Sequence, residues 1–407
     1  SPDHSVPIVA VNLWYDVGSR DERPGQAGFA HLFEHLMFQG SANVASGEHL
    51  NALQNVGGSV NATTSFDRTN YFETVPVGAL DLALWMEADR LATLADHLDE
   101  ANLDTQREVV KEEKRQRYDN VPYGHVMPQL LELLFPAGHP YAHSTIGSMA
   151  DLDAATPETA QAFFARHYRA DNAVLTLVGD ISPKEGFKKA ERYFGWIPGW
   201  NRRQRPAAAA LPALAEPQRH DVWSAVPADA VYLAWRLPER DTTPFDAADL
   251  ALAVLGQGQA SRLHLGLVRG RQVAAGASAA GLGLIGGNSV GYAMARGLPT
   301  VGTAALEAAL REEVARLANE GPSEAEVDRA KVQYSREWLS ELSQFDARAD
   351  ELSAFATLHR DPERVNRRLF EIMRLGVDDV AAAASAWLAA DSAASLCYHQ
   401  EVTDAST

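Results

Sequence analysis

The chain has 407 residues, 46% of them hydrophobic and 22% charged, and its 54 acidic side chains outnumber its 36 basic ones for a formal net charge of −18. That acidity argues against nucleic acids and anionic membrane surfaces as partners, and no run approaches the roughly 18 uninterrupted apolar residues of a membrane span. The length allows two or three domains with sizeable cores, and a single cysteine, Cys397, excludes an intrachain disulfide. The negative field would steer basic or neutral peptides toward the chain, or it serves solubility alone.

The sequence opens at Ser1 without a methionine, as removal of a signal peptide would leave it. Ile8 to Tyr15 is an apolar strand, followed by a turn with glycine and proline and then an apolar run from Phe29 to Phe38. Inside that run stands His31-Leu32-Phe33-Glu34-His35. At about 100° per residue a helix sets His35 about 40° from His31, and Glu34 about 60° to the other side, so all three project from one face. Two imidazoles one turn apart can share a zinc ion, with the carboxylate beside them to take a proton from water. The order H-x-x-E-H is that of an inverzincin. The bland alternative is a satisfied core helix, but burying two histidines and an acid among Phe, Leu and Met is costly without a partner.

Such a site lacks a third protein ligand. Residues 102–115 are rich in helix formers, with no Gly or Pro, and Val109, Val110 and Glu113 share a face. An acid on an inward face wants a cation, so Glu113 is the candidate, and Glu112 is a rival that spacing does not exclude. Farther on, residues 206–217, rich in Ala and Pro, read as an interdomain linker. They separate an N-terminal α/β domain, 1–205, from a C-terminal one, 218–407. The halves look like a diverged repeat: Ala230 to Leu237 is again a strand, and a helix follows from Phe245 to Leu255. Ala251-Leu252-Ala253-Val254 occupies the stretch where metal chemistry would sit, so the second half should hold no metal. Strands followed by helix pairs in each half predict an α+β fold of sheets packed on helices.

The H-x-x-E-H run, followed 78 residues after His35 by the acid of Arg107-Glu108-Val109-Val110-Lys111-Glu112-Glu113, resembles the pitrilysin-type zinc metallopeptidases, the group of mitochondrial processing peptidase and short bacterial zinc peptidase subunits. Gly57 to Thr64, Thr69 to Phe72, His139-Pro140-Tyr141 with Ile146-Gly147, and Asp171-Asn172-Ala173 with Val178-Gly179-Asp180 are further landmarks of the resemblance, which is strongest over the first 200 residues or so. It implies two homologous α/β sandwich halves with antiparallel-rich sheets, forming one side of a clamshell. It implies one zinc per chain on His31, His35 and Glu113, with Glu34 as general base. Asn61 and Ala62 would lie on an edge strand that pairs with extended substrate, and exported bacterial relatives imply a periplasmic location. His/Glu ligation does not by itself select zinc over another divalent ion.

Two departures from the family pattern stand out. Gln106 occupies a place seven residues before the ligand where the family often has glutamate, leaving an uncharged group to support the site. In the second half Arg269 fits the arginine of the family's Arg/Tyr pair, but the tyrosine position falls at Ala275 or Gly276, and the next tyrosine, Tyr292, is too far along. An intact metal motif beside a defective Arg/Tyr half matches the zinc-bearing subunit of a heterodimer whose partner supplies that pair. The alternative is a catalytically silent peptide-binding or scaffold subunit.

Overall fold

A computed structural model of the chain describes residues 1–199 and 209–401, so residues 206–208 of the expected linker lie outside the described residues. In the N-terminal half the elements run β1 (Ile8–Tyr15), α1 (Phe29–Leu36), α2 (Glu48–Asn55), β2 (Ser59–Thr64), β3 (Thr69–Pro76), α3 (Leu80–Thr93), α4 (Glu100–Lys114), α5 (Val126–Leu134), α6 (Met149–Asp153), α7 (Pro157–His167), β4 (Ala173–Gly179) and α8 (Pro183–Phe194). The C-terminal half continues with β5 (Arg219–Ser224), β6 (Ala230–Leu237), α9 (Thr243–Gly256), β7 (Ala274–Leu282), β8 (Ser289–Gly297), α10 (Thr303–Glu320), α11 (Glu324–Ser343), α12 (Phe345–Ala354), α13 (Val365–Met373), α14 (Val377–Trp387) and β9 (Ala394–Gln400).

The chain forms two compact units. The first holds residues 1–115, 143–199 and 338–367, and the second residues 116–142, 209–337 and 368–401. These units differ from the expected domains 1–205 and 218–407 in two segments, each of which belongs with the other half. Hydrogen bonds give the physical reason. Asp350 of α12 accepts from Trp14 Nε1 at 2.6 Å and Asn70 Nδ2 at 2.8 Å, which fastens α12 to the first sheet. Within the second unit, Tyr398 Oη donates to Gln129 Oε1 at 2.6 Å and Tyr123 Oη to the Ala228 carbonyl at 2.5 Å. None of these partners is near in sequence, so no local pattern announces them.

The first unit is built on a sheet of order β2-β3-β1-β4, every neighbouring pair antiparallel. Successive side chains of a strand point to opposite faces. On β1, Val9 and Val11 pack with Leu80, Ala83 and Leu84 of α3, while Ala10 packs with Ala349 of α12. Both faces of β1 are therefore covered, which is why it reads as a continuous apolar run rather than an alternating one. The second unit repeats the plan with β5-β9-β6-β8-β7, where only β5 runs parallel to its neighbour β9. Its β6 and α9 supply one core from Val231, Leu233, Trp235, Leu250, Leu252 and Leu255. The antiparallel-rich sheets packed on helices are the expected α+β class. Among the described residues no helix is long and apolar enough to cross a membrane.

Candidate metal centre

Helix α1 is eight residues long and has two functions on two faces. Phe29 and Phe33 bury one face against α7: the Phe33 ring stacks on Phe163 at 5.4 Å, and Phe29 meets the same ring edge-on at 5.8 Å. Burying each such side chain contributes about 1.5–3 kcal/mol, enough to fix the roll of a short helix. The roll then presents His31 and His35 on the other side, their rings 4.9 Å apart and perpendicular.

Helix α4 brings the third group. Glu113 Oε2 lies 3.4 Å from His31 Nε2 and 3.2 Å from His35 Nε2, and one donor atom from each of the three residues falls within 4.8 Å of the others. His31 is buried, and His35 and Glu113 are half-buried. Glu112 points elsewhere, exposed and hydrogen-bonded to Arg115 Nη1 at 3.0 Å. Two imidazole nitrogens and a carboxylate oxygen converging on one point are a donor set that fits a divalent cation such as zinc. Glu34 is half-buried on α1, one residue before His35, and Gln106 is buried on α4 two turns before Glu113.

Beside the centre, β2 is the outer strand of its sheet. Asn61 is exposed there and Ala62 is buried. The Ala62 N–H is donated to the Asn61 side-chain oxygen at 2.9 Å. Arg269 belongs to the second unit, on a wide helical turn at His264–Gly270, where its side chain is exposed. Ala275 falls at a β-bulge where the β7–β8 register shifts between Ala274 and Gly276, and it too is exposed.

The sequence reading passes over the groups that hold α1 in place. Arg90 of α3 is buried beneath it, paired with Glu87 through both Nε and Nη2. Its guanidinium lies 4.4 Å from the centroid of the Tyr71 ring and 5.1 Å from that of Phe38, and Tyr71 Oη donates to the Phe33 carbonyl at 3.0 Å. Burial disfavours charge on Glu87, but Arg90 and His49 outweigh it and hold its carboxyl below the ordinary range. Glu73 of β3 goes the other way: burial, then the charge of Glu87, push its carboxyl well above that range. One acid is thus ionised and the other neutral, and Arg90 is matched by a single charge.

The profile of the family described as Insulinase (Peptidase family M16) matches residues 1–147, and that described as Peptidase M16 inactive domain matches residues 154–334. Zinc protease PqqE of Helicobacter pylori is 30% identical over 346 residues, which cover 84% of this chain and 76% of that protein. The chain belongs to peptidase family M16. It is also 29% identical over 190 residues, 46% of this chain and 40% of that one, to the probable mitochondrial-processing peptidase subunit beta of Schizosaccharomyces pombe. The crystal structure of a protease from Helicobacter pylori superposes with a TM-score of 0.90 at 26% identity, covering 97% of this chain and 95% of that chain. The family thus bears out the resemblance drawn from the H-x-x-E-H run.

Proposed function

We propose that this chain is a zinc-dependent endopeptidase that cleaves extended peptides or unfolded segments, and that it is the zinc-bearing subunit of a two-subunit peptidase. The observation that carries this reading is the convergence of His31, His35 and Glu113 to within 4.8 Å from two helices far apart in sequence. These three would hold one zinc ion per chain. When bound, the metal supplies Lewis-acid polarisation of the scissile carbonyl and a more acidic water. Glu34 accepts the water proton and passes it to the leaving amine. Gln106 supports the site as a neutral hydrogen-bonding group.

Substrate would add as a strand beside β2, in the manner of β-augmentation. The Asn61 side chain then swings off the Ala62 N–H, and a substrate carbonyl takes its place. Such pairing reads main chain and rejects compact proteins. Arg269 is assigned to substrate binding in this reading. Ala275 and Gly276 carry no hydroxyl to accompany it, so a homologous partner subunit supplies the complete Arg/Tyr pair. A periplasmic location belongs to the same reading.

Hydrolysis of a quenched fluorescent peptide library, by the chain alone and with a candidate partner, tests the proposal. Chelator-sensitive cleavage only with the partner is the expected result. Cleavage by the chain alone refutes the two-subunit arrangement. Bound zinc without cleavage in either case refutes the peptidase and leaves a peptide-binding or scaffold subunit.

A further inference from the structure

The helix that carries both histidines has no cap of its own. Its N-cap is Gly28, at φ +103°, and no side chain there accepts from the first turn. Nor could a larger residue replace it, because a Cβ on Gly28 would stand 2.9 Å from the Ile146 carbonyl oxygen and 3.2 Å from the Cα of Gly147. The packing that admits the Ile146-Gly147 landmark therefore rules out the usual Ser, Thr or Asp cap.

Glu22, outside the helix, takes over that role. Its Oε2 accepts from the Gly28 N–H at 2.9 Å and its Oε1 from the Ala30 N–H at 2.8 Å, so both oxygens hold the first turn, the second of them at the residue before His31. The Glu22 side chain is 1% exposed. It is held in turn by His143, whose Nε2 lies 2.8 Å from Glu22 Oε2 and 3.1 Å from the Ser19 carbonyl. A negative group at a helix N-terminus is also favoured by the helix dipole.

We propose that Glu22, backed by His143, is a positioning residue of the metal centre: it fixes the first turn of α1 and thereby the place of His31 relative to His35 and Glu113. The inference rests on the zinc reading above. Without Glu22, two N–H groups in a water-poor site lose their acceptor, the first turn frays, and the His31 imidazole no longer converges with the other two donors. Outer groups that orient ligands typically contribute about 10- to 100-fold to metal affinity.

Co(II) serves as the probe, read by its absorption bands and by competition with a chelator, alongside hydrogen exchange at the amides of residues 28–35. The expected result for Glu22→Gln is Co(II) binding weakened about 10- to 100-fold with faster exchange at the α1 amides. His143→Leu should weaken binding in the same direction, and His143→Gln, which can still donate to Glu22, should restore it. Asp151→Asn is the control. The Asp151 carboxylate accepts from the Ala27 N–H at 2.9 Å, just outside the helix, and its loss should leave Co(II) affinity unchanged. Faster exchange in Glu22→Gln with wild-type Co(II) affinity and spectrum overturns the inference, because Glu22 would then be a fold element only. A wild-type chain that binds no Co(II) overturns the zinc reading itself, and the inference with it.

Discussion

Replacing Glu73 by glutamine should stabilise the protein, and increasingly so as the pH rises. Glu73 is enclosed on β3, and burial, followed by the charge of Glu87, keeps its carboxyl protonated well above the ordinary carboxylate range. In the unfolded chain the same group ionises near its ordinary value of about 4.3. The folded state therefore binds one more proton than the unfolded state across the interval between the two values. Stability is fully present below the unfolded value and is lost at about 1.4 kcal/mol per pH unit as the pH climbs through that interval. Glutamine is the neutral isostere and carries no such dependence. Between pH 5 and pH 7 the stability difference between Glu73→Gln and wild type should therefore grow with pH, and the gap in unfolding temperature with it. Thermal unfolding of both proteins at pH 5, 6 and 7 measures it. A difference that does not change with pH would mean that Glu73 is ionised in the folded protein, and the argument for one neutral and one charged acid beside Arg90 would fail.

Arg90→Met should have the opposite sign, because it leaves Glu87 buried without its counterion; a loss of about 3–5 kcal/mol is expected, checked by chemical unfolding at pH 7. Glu34→Gln should lower kcat by about 10²- to 10⁴-fold while bound zinc and peptide affinity stay at wild-type values, as metal analysis and a binding assay would show. Glu113→Gln should lose metal, whereas Glu112→Gln should keep it, because only Glu113 faces the histidines; metal content after dialysis decides between them. Phe33→Ala should cost about 3–5 kcal/mol by removing the ring that sets the roll of α1 against Phe163.

The parts of this molecule that could be read from the sequence are those whose cause is local. His31, Glu34 and His35 lie within one helical turn and a half, and the inward face of α4 could be found from Val110 and Glu113 three residues apart, whereas Val109, read onto the same face, is exposed because it lies one residue round from Val110. β1 and β6 are apolar runs long enough to declare themselves. What could not be read is set by distance along the chain. Asp350 meets Trp14 across 336 residues, and His143 meets Glu22 across 121. Arg90 could be taken for a surface charge of α3 until Glu87 and the Tyr71 ring are seen around it. One signal was present: Gly28 precedes α1 where a capping side chain would be expected, so an acceptor had to come from elsewhere.

Helices α1 and α9 differ in what the proposed metal site would ask of a helix. Each follows an interior strand of its sheet, β1 or β6. Helix α9 is 14 residues long, starts with Pro in its first turn, and is capped by its own Thr242 side chain. Most of its length is buried apolar surface, including Ala251, Leu252 and Val254, so local capping and core packing suffice to hold it. Helix α1 has eight residues, a glycine at its N-cap, and one face given over to two imidazoles and a carboxylate. It has given up the cap, the length and part of the apolar stripe that stabilise α9. Groups from outside make up the difference: Glu22 at the first turn, Tyr71 on the Phe33 carbonyl, and Arg90 stacked beneath Phe38. The second unit keeps a self-sufficient helix in the corresponding place. Polar clamps around α1 are therefore the expected companion of its histidines, and a chain that lost those histidines would be free to lose the clamps as well.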